Sequence, residues 1–171
     1  FHGNRGMTVA LLHGGPRAPG SLWPLAEALK GGFRVLEPLQ RGSGGPPLTV
    51  QSHVEDFHEL VKETCGASPV EVIGHSWGAM LGLAAAASHP EDIRSLALVG
   101  CGTFDPASRL EMKKTLESRM GENVREEIRA LDREVRDSGE RMRRYVALTG
   151  RFYSFDPEGS WESLSFDARA F

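Results

Sequence analysis

Residues 70–80 read VEVIGHSWGAM, and the assignment of the rest of the chain depends on them. β-Branched residues come first, and an alanine-rich segment runs from Gly78 to Ser88. This pattern predicts a strand that turns through Ser76 into a helix. A serine with glycine two residues before and after it, at such a turn, is typical of a nucleophile elbow, because small residues let strand and helix approach. The alternative is an ordinary strand-to-helix turn with an exposed serine.

Further apolar runs of strand length lie on both sides of this stretch, with helical periodicity between them. Strands are predicted at 7–12, 33–37, 70–73 and 94–100, and helices at 21–30, 49–65 and 78–88. Ser21 and Thr49 are the predicted helix caps, and Gly66 is the predicted end of the second helix. Strands joined through helices pair in parallel, so we expect an α/β fold with an open, mostly parallel sheet and helices on both faces.

The composition changes after Asp105. Residues 109–144 are rich in arginine and glutamate, and apolar residues recur there every three or four positions. This predicts amphipathic helix interrupted near Gly121 and Gly139, with a solvated charged face. The aromatic-rich end, residues 150–171, either covers a pocket or packs against the helices, and packing is favoured. We therefore predict a core domain at 1–105 and a helical domain at 106–171.

Charge and composition exclude several classes of function. Twenty Lys and Arg residues against 23 Asp and Glu give a net charge of −3, which argues against nucleic acid or an anionic membrane as a partner. The longest apolar runs, such as residues 81–87, are too short to span a bilayer. Cys65 and Cys101 form neither a disulfide framework nor a metal-ligand spacing, so we interpret them as reduced thiols in a cytoplasmic protein. The first residues show no secretory signal, and no cofactor or metal is predicted.

A glycine-rich loop follows the first predicted strand. It reads HGGP at residues 13–16, and its glycines let backbone N–H groups point into open space. Ligands of open α/β sheets bind beyond the carboxyl ends of the strands. Since this loop and Ser76 both follow such ends, we expect them to meet at one site.

Three motifs occur in order: HGGP at 13–16, LQRGSG at 39–44 and GHSWG at 74–78. With the strand alternation, they resemble the α/β-hydrolase superfamily and, within it, the proline iminopeptidase group of serine peptidases. Leu39 departs from the aspartate usual in that group, and Arg17 stands where it often has glycine. The resemblance covers about residues 7–105. For the remainder it implies an incomplete α/β-hydrolase fold with a helical cap, which these enzymes insert after their sixth strand.

The resemblance also implies roles at the site. Ser76 is the expected nucleophile, which attacks a carbonyl carbon to form an acyl-enzyme. The expected oxyanion donors are the backbone N–H groups of Trp77 and Gly15, with Gly14 in reserve, since Pro16 has no N–H. His13 is expected to brace the loop. The order in this superfamily is serine, acid, histidine, so we expect the acid and the base to be absent from these 171 residues.

None of the six histidines is predicted to be the base. His13 belongs to the glycine-rich loop, and His75 adjoins Ser76 and should point away from it. The other four are His2 in the leading segment, His53 and His58 on the second, surface helix, and His89 at a helix end. Asp105 is either an acid in an alternative position or the cap of the next helix beside Pro106. We therefore expect the 171-residue chain by itself to be inactive or nearly so.

Three functions are compatible with these motifs. The first is a cofactor-free serine hydrolase that cleaves an N-terminal proline or another small amide or ester. The second is an esterase or carbon–carbon bond hydrolase on the same scaffold. The third is a non-catalytic α/β-hydrolase scaffold that binds a small ligand or a partner through its cap. In the first two, the expected partner is a small-molecule or short-peptide substrate. The motifs leave substrate and oligomeric state undetermined.

Overall fold

The computed structural model describes residues 1–15, 20–42 and 48–153. These residues belong to two units, Phe1–Gly102 and a second that begins at Thr103. The strands of the first unit are β1 (Thr8–Leu12), β2 (Arg34–Leu36), β3 (Val70–His75) and β4 (Ile93–Val99). Its helices are α1 (Trp23–Leu29), α2 (Val50–Cys65) and α3 (Trp77–Ser88), with a 3₁₀ turn at Pro90–Asp92.

The four strands form one parallel sheet in the order β2-β1-β3-β4. This confirms the predicted parallel sheet. Adjacent β1 and β3 are in register so that Leu12 lies opposite Gly74. The segments that follow these two strands therefore begin side by side, and this brings His13 and His75 to the same edge of the sheet.

Helices cover both faces of the sheet, as predicted. Alternate residues of β1 point to opposite faces. Ala10 and Leu12 are buried in a cluster with residues of α2 and α3. Val9 and Leu11 are buried on the other face, in a cluster that contains Ala26 of α1. Burial on both faces explains why β1 reads as a continuous apolar run rather than as an alternating one.

The ends of α2 follow the sequence prediction and the start of α1 does not. Thr49 and Ser52 form a reciprocal capping box, and Gly66 ends α2 with a φ of +62°. Ser21 was predicted to cap α1, which is wrong: Leu22 is the N-cap residue, and no side chain caps this helix. The N–H of Trp23 instead donates to the Gly20 carbonyl oxygen at 3.1 Å, so the backbone supplies that hydrogen bond.

The second unit contains three helices: α4 (Pro106–Arg119), α5 (Glu122–Glu134) and α6 (Ser138–Thr149). The break at Gly121 is confirmed. The second break, predicted near Gly139, is confirmed as well: it lies at residues 135–137, just before that glycine, which is inside α6. Asp137 caps α6 by accepting a hydrogen bond from the Glu140 N–H at 2.7 Å, so the helix starts before the glycine.

Leu116, Met120 and Val124 form a small buried cluster in this unit. They lie on the apolar face that the sequence predicted. The interpretation of the unit as a cap stays a prediction, as does the boundary at residue 105. The packing predicted for the aromatic-rich end falls mainly on residues 154–171, which lie outside the described residues.

Two further findings concern the cysteines and the question of a membrane-spanning helix. Cys65 and Cys101 are free thiols, and both are half-buried. Within the described ranges, each helix is too short or too polar to cross a membrane.

Candidate active site

Ser76 occupies the turn between β3 and α3 in a backbone conformation that side chains rarely adopt. Its φ is +53° and its ψ is −116°, and among the described residues it is the only non-glycine residue with positive φ. Such a conformation costs of order 1–3 kcal/mol and persists only where the surroundings impose it. Here the Ser76 N–H donates to the Val99 carbonyl oxygen at 2.9 Å, which ties the turn to the end of β4.

The hydroxyl of Ser76 is not used by the helix that it precedes. Ser76 is the N-cap residue of α3, yet its side chain makes no capping hydrogen bond. Its carbonyl oxygen accepts the Ala79 N–H at 3.1 Å and the Met80 N–H at 3.3 Å. The half-buried side chain is therefore available to a ligand, while the backbone is held in place.

Glycines at 74 and 78 are required by the packing of this turn. A Cβ atom on Gly74 would overlap the Gly78 carbonyl oxygen and lie 2.7 Å from the Ala79 nitrogen. A Cβ atom on Gly78 would overlap the Leu12 carbonyl oxygen. Both glycines thus let α3 pack directly against the ends of β3 and β1, as an elbow requires.

The loop after β1 lies against the serine. A Cβ atom on Gly14 would be 3.0 Å from the Ser76 Cβ and 3.0 Å from the His75 Nδ1. Gly14 is buried, whereas Gly15 is exposed and has a φ of +79°. The expected meeting of the loop with Ser76 is therefore present at Gly14. The roles of Gly15, Gly14 and Trp77 as oxyanion donors stay predictions.

The buried side chain of His13 contacts the backbone of this loop. Its side chain is buried, and the Nδ1 lies 3.0 Å from the Gly14 carbonyl oxygen. The Nε2 is also buried and has no hydrogen-bond partner within the described residues. A side chain enclosed in this way braces the backbone around Gly14 and is not presented to a substrate.

The side chain of Gln40 connects all three motifs, a role that was not predicted from the sequence. Its Nε2 donates to the His13 carbonyl oxygen at 2.9 Å, and its Oε1 accepts the Trp77 indole N–H at 2.8 Å. One amide thus joins the loop after β1 to the first residue of α3. A primary amide can donate and accept at once, but no local sequence pattern reports that Gln40 lies between these two segments.

His53 was predicted to lie on a surface helix, and for its side chain this is wrong. The ring is 4% exposed and packs edge-on against Trp77, with ring centroids 5.6 Å apart. Its Nδ1 donates to the Thr49 carbonyl oxygen at 2.9 Å. The helical pattern of Val54, Phe57 and Val61 faces inward, and His53 lies at the start of this buried face.

A cavity of about 320 Å³ lies beside the Trp77 packing partners. Its inner wall is mostly apolar, and Gln40 and His53 contribute polar atoms; the residues concerned are Leu12, Gln40, His53, Phe57, Leu60 and Leu81. Arg41 and Asp56 form an ion pair at the rim. The hydrogen bond from Arg41 lowers the pKa of the Asp56 carboxyl, and both side chains are more than one-third exposed, so this pair contributes little to stability.

The described residues contain no hydrogen bond between Ser76 and a histidine. His75 is exposed, and its ring lies near Gly14 and Gly100. His2 pairs with Glu37 at 3.2 Å, while His58 and His89 lie near the start of β4, at the opposite edge of the sheet from Ser76. A base for Ser76 is therefore not identified in this part of the chain.

Asp105 was predicted to be either an alternative acid or a helix cap, and it caps α4. Its Oδ1 accepts the Ser108 N–H at 2.8 Å, and Pro106 occupies the first turn. The hydrogen bonds from Ser108 lower the pKa of this carboxyl. A carboxylate held at a helix start has a sufficient structural explanation.

Comparison with known proteins agrees with this geometry. Residues 8–127 match the family described as α/β hydrolase fold. A proline iminopeptidase from Neisseria gonorrhoeae is 36% identical over 102 residues, which cover 56% of this chain and 33% of that protein. A cis-3-alkyl-4-alkyloxetan-2-one decarboxylase from Shewanella oneidensis is 27% identical over 108 residues, which cover 58% of this chain and 34% of that protein.

A solved structure is similar over the same region. An epoxide hydrolase from Vigna radiata superimposes with a TM-score of 0.51 at 27% identity, over 62% of this chain and 36% of that one. The chain thus spans about a third of the length of the two curated relatives. The family match covers more than half of the chain and includes the elbow, the glycine loop and the parallel sheet. The chain belongs to the α/β hydrolase fold family.

Proposed function

We propose that this chain carries the nucleophile and the oxyanion loop of a serine hydrolase that acts through an acyl-enzyme. The observation that supports it most is Ser76, held at positive φ with a hydroxyl that makes no capping bond, directly against the glycine loop. A merely structural turn residue at this position would be glycine, which adopts this conformation at lower cost. A serine at this strained position is explained if its hydroxyl is needed for the reaction.

The start of α3 supplies the electrostatics of the proposed reaction. The first N–H groups of a helix have no partner within it, and the helix dipole makes that end positive. The Trp77 N–H is the first of these. Together with an N–H of the glycine loop, at Gly15 or Gly14, it would stabilise the negative charge that develops on the carbonyl oxygen during attack.

In the proposed reaction the Ser76 Oγ bonds to the substrate carbonyl carbon, and its proton passes to a base. Collapse of the tetrahedral intermediate breaks the bond to the leaving amine or alcohol, which takes up the proton. Water then hydrolyses the acyl-enzyme and regenerates Ser76. The base stays unassigned, so without an added base we expect the 171-residue chain to be inactive or nearly so.

For the substrate we propose a small amide or ester, with an N-terminal prolyl peptide as one candidate. The three motifs and the 36% identical proline iminopeptidase support that candidate. The Shewanella oneidensis relative is named a decarboxylase and the Vigna radiata structure an epoxide hydrolase, so the reaction differs among the relatives. An esterase or a carbon–carbon bond hydrolase on the same scaffold is the alternative. A non-catalytic binding role is the third candidate, and the strained Ser76 speaks against it.

The test supplies the missing base as imidazole. The purified chain is assayed with p-nitrophenyl acetate and with prolyl p-nitroanilide, with and without imidazole, and each rate is corrected by the rate of Ser76→Ala in the same buffer. We expect imidazole-dependent hydrolysis at least about tenfold above that of Ser76→Ala, and the preferred substrate separates ester from prolyl chemistry. Ser95→Ala, at an exposed serine of β4, is the matched control.

Equal rates for the wild type and Ser76→Ala would contradict the proposed nucleophile. If the wild type hydrolyses neither substrate and Ser76→Ala binds a ligand as well as the wild type does, the non-catalytic role is favoured.

A further inference from the structure

Four side chains with metal-binding atoms meet at the edge of the sheet opposite Ser76. His58 comes from α2, and the others are His89, Glu91 and Asp92, in the segment that leads into β4. One ligand atom from each residue lies within 4.8 Å of the corresponding atoms of the other three. No spacing in the sequence points to this cluster, because His58 is 31 positions from the nearest of the other three residues.

Asp92 is the fixed centre of this cluster. Its side chain is 2% exposed, and its Oδ2 lies 2.6 Å from the His58 Nδ1. Its Oδ1 lies 2.8 Å from the Lys62 ammonium group. The carboxylate therefore already binds cationic or proton-donating groups on both oxygens, and one of these groups, the His58 N–H, can be exchanged for a metal ion.

His89 is the least constrained member. Its ring stacks on that of His58, with centroids 3.9 Å apart and planes inclined by 19°. Its closest carboxylate atoms are at 3.6 Å in Glu91 and 3.7 Å in Glu55, and its Nε2 is buried without a hydrogen-bond partner within the described residues. Each nitrogen lone pair lies in the plane of its ring, and the two ring planes are nearly parallel. One ring must therefore turn before both nitrogens can bind the same ion, and His89 has no short hydrogen bond that would prevent this.

We propose that His58, His89, Glu91 and Asp92 bind a divalent transition-metal ion. Two imidazole nitrogens and two carboxylate oxygens form a four-ligand set of the kind that zinc accepts in a tetrahedral site. On binding, the His58 Nδ1 loses its proton to solvent and becomes a ligand, and the metal takes the place of that proton on the Asp92 Oδ2. Lys62 keeps its contact with the Oδ1.

The proposed site is structural in character. It joins α2 to the segment before β4, and with four protein ligands it leaves no open position for a substrate. It does not depend on the proposed role of Ser76, since the two sites lie at opposite edges of the sheet. A bound ion would stabilise the folded chain, because the ligands converge only in the native state.

The test measures zinc binding to the full chain after chelator treatment, by competition with a chromogenic zinc chelator. We expect one zinc ion per chain at micromolar concentration, and at least about tenfold weaker binding in His89→Ala. His2→Ala is the matched control, because His2 is a half-buried histidine that also lies beside two carboxylates, those of Glu27 and Glu37, away from the cluster. Absence of binding in the wild type, or binding lost in His2→Ala and kept in His89→Ala, would overturn the proposal.

Two further measurements separate metal binding from damage to the fold. Wild-type chain titrated with Co²⁺ should show the strong visible bands of a four-coordinate ion with nitrogen and oxygen ligands, and a weak spectrum like that of hydrated Co²⁺ would overturn the proposal. Lys62→Met should tighten zinc binding, because it removes the cation that shares Asp92. An unchanged affinity in Lys62→Met would contradict the place of Asp92 in the ligand set.

Discussion

At the scale of single residues, Ser76 combines an unfavourable backbone conformation with a free hydroxyl. The strain is local to one residue, because the N–H and carbonyl groups of Ser76 are all satisfied by neighbouring backbone. Substitutions at this position can therefore distinguish the free-energy cost of the positive φ from the contribution of the hydroxyl group.

We expect Ser76→Gly to be more stable than Ser76→Ala by about 1 kcal/mol. Glycine relieves the strain at positive φ, and its greater freedom in the unfolded chain cancels part of the gain. Ser76→Ala is the matched variant, since it removes the hydroxyl and keeps the Cβ atom. Urea unfolding of both variants measures the difference, and equal free energies of unfolding would show that the conformation is not strained.

Gly78 has the tightest surroundings among the glycines of α3. We expect Gly78→Ala to lower the free energy of unfolding by about 2 kcal/mol or more, because the added methyl group meets the backbone of Leu12. Gly82→Ala is the control, since there the methyl group meets the flexible Leu96 side chain at 2.9 Å. Equal costs for the two variants, measured by urea unfolding, would contradict the packing of the elbow on β1.

At the scale of elements, two contacts position the ends of the sheet. At the carboxyl edge, Gln40 joins the loop after β1 to the start of α3. At the amino edge, Asp92 joins the segment before β4 to α2 through His58 and Lys62. Each is a polar side chain that holds two elements in register.

We expect Gln40→Leu to slow the imidazole-dependent acylation of Ser76 by about tenfold, because the loop and the Trp77 backbone lose their common support. The expected loss of stability is about 1 kcal/mol, the usual contribution of a hydrogen bond. Gln51→Leu, at an exposed glutamine of α2, is the matched control. A slower rate that is fully explained by the unfolded fraction would show that Gln40 has no positioning role.

Asp92 should make stability depend on pH in metal-free protein. Burial raises the pKa of this carboxyl, but the hydrogen bonds from Lys62 and His58 outweigh burial and hold it below the ordinary value. A folded-state pKa below the unfolded one means that the contribution is present above about pH 4 and is lost as pH falls through the lower folded value.

The measurement compares wild type with Asp92→Asn in urea, with chelator present. We expect the variant to be less stable by about 1 to 3 kcal/mol at pH 7, and the difference to shrink as the pH is lowered below about 4. The other ionisable groups nearby are His58, Lys62, His89, Glu91 and Glu55. A difference that does not change with pH would contradict the ionised state of Asp92.

At the scale of the whole molecule, periodicity and breakers were sufficient to predict the sheet. Short apolar runs separated by helical patterns favour a parallel sheet. The observed register of β1 with β3 then brings the loop after β1 next to the turn at Ser76. The predictions that failed depended on competing local hydrogen bonds. In α1 the Gly20 carbonyl oxygen accepts the Trp23 N–H, and no side chain takes the role predicted for Ser21.

Contacts between distant segments were the part that the sequence could not predict. Gln40 and Trp77 are 37 residues apart, and His58 and Asp92 are 34 apart. No local pattern reports such pairs, because each depends on the packing of whole elements. The burial of His53 was predictable from the spacing of its apolar neighbours. It was not predicted, because a polar side chain on a helix is usually assigned to the surface.

The central claim is that Ser76 is an activated nucleophile, and the most direct test is to map which serine reacts. The folded chain is treated with an alkyl fluorophosphonate in the presence of imidazole, and the modified peptide is identified by mass spectrometry, with urea-unfolded chain as the control. The account predicts modification at Ser76 in the folded chain and no preference after unfolding. Modification spread over exposed serines such as Ser95, or absent from Ser76, would contradict it.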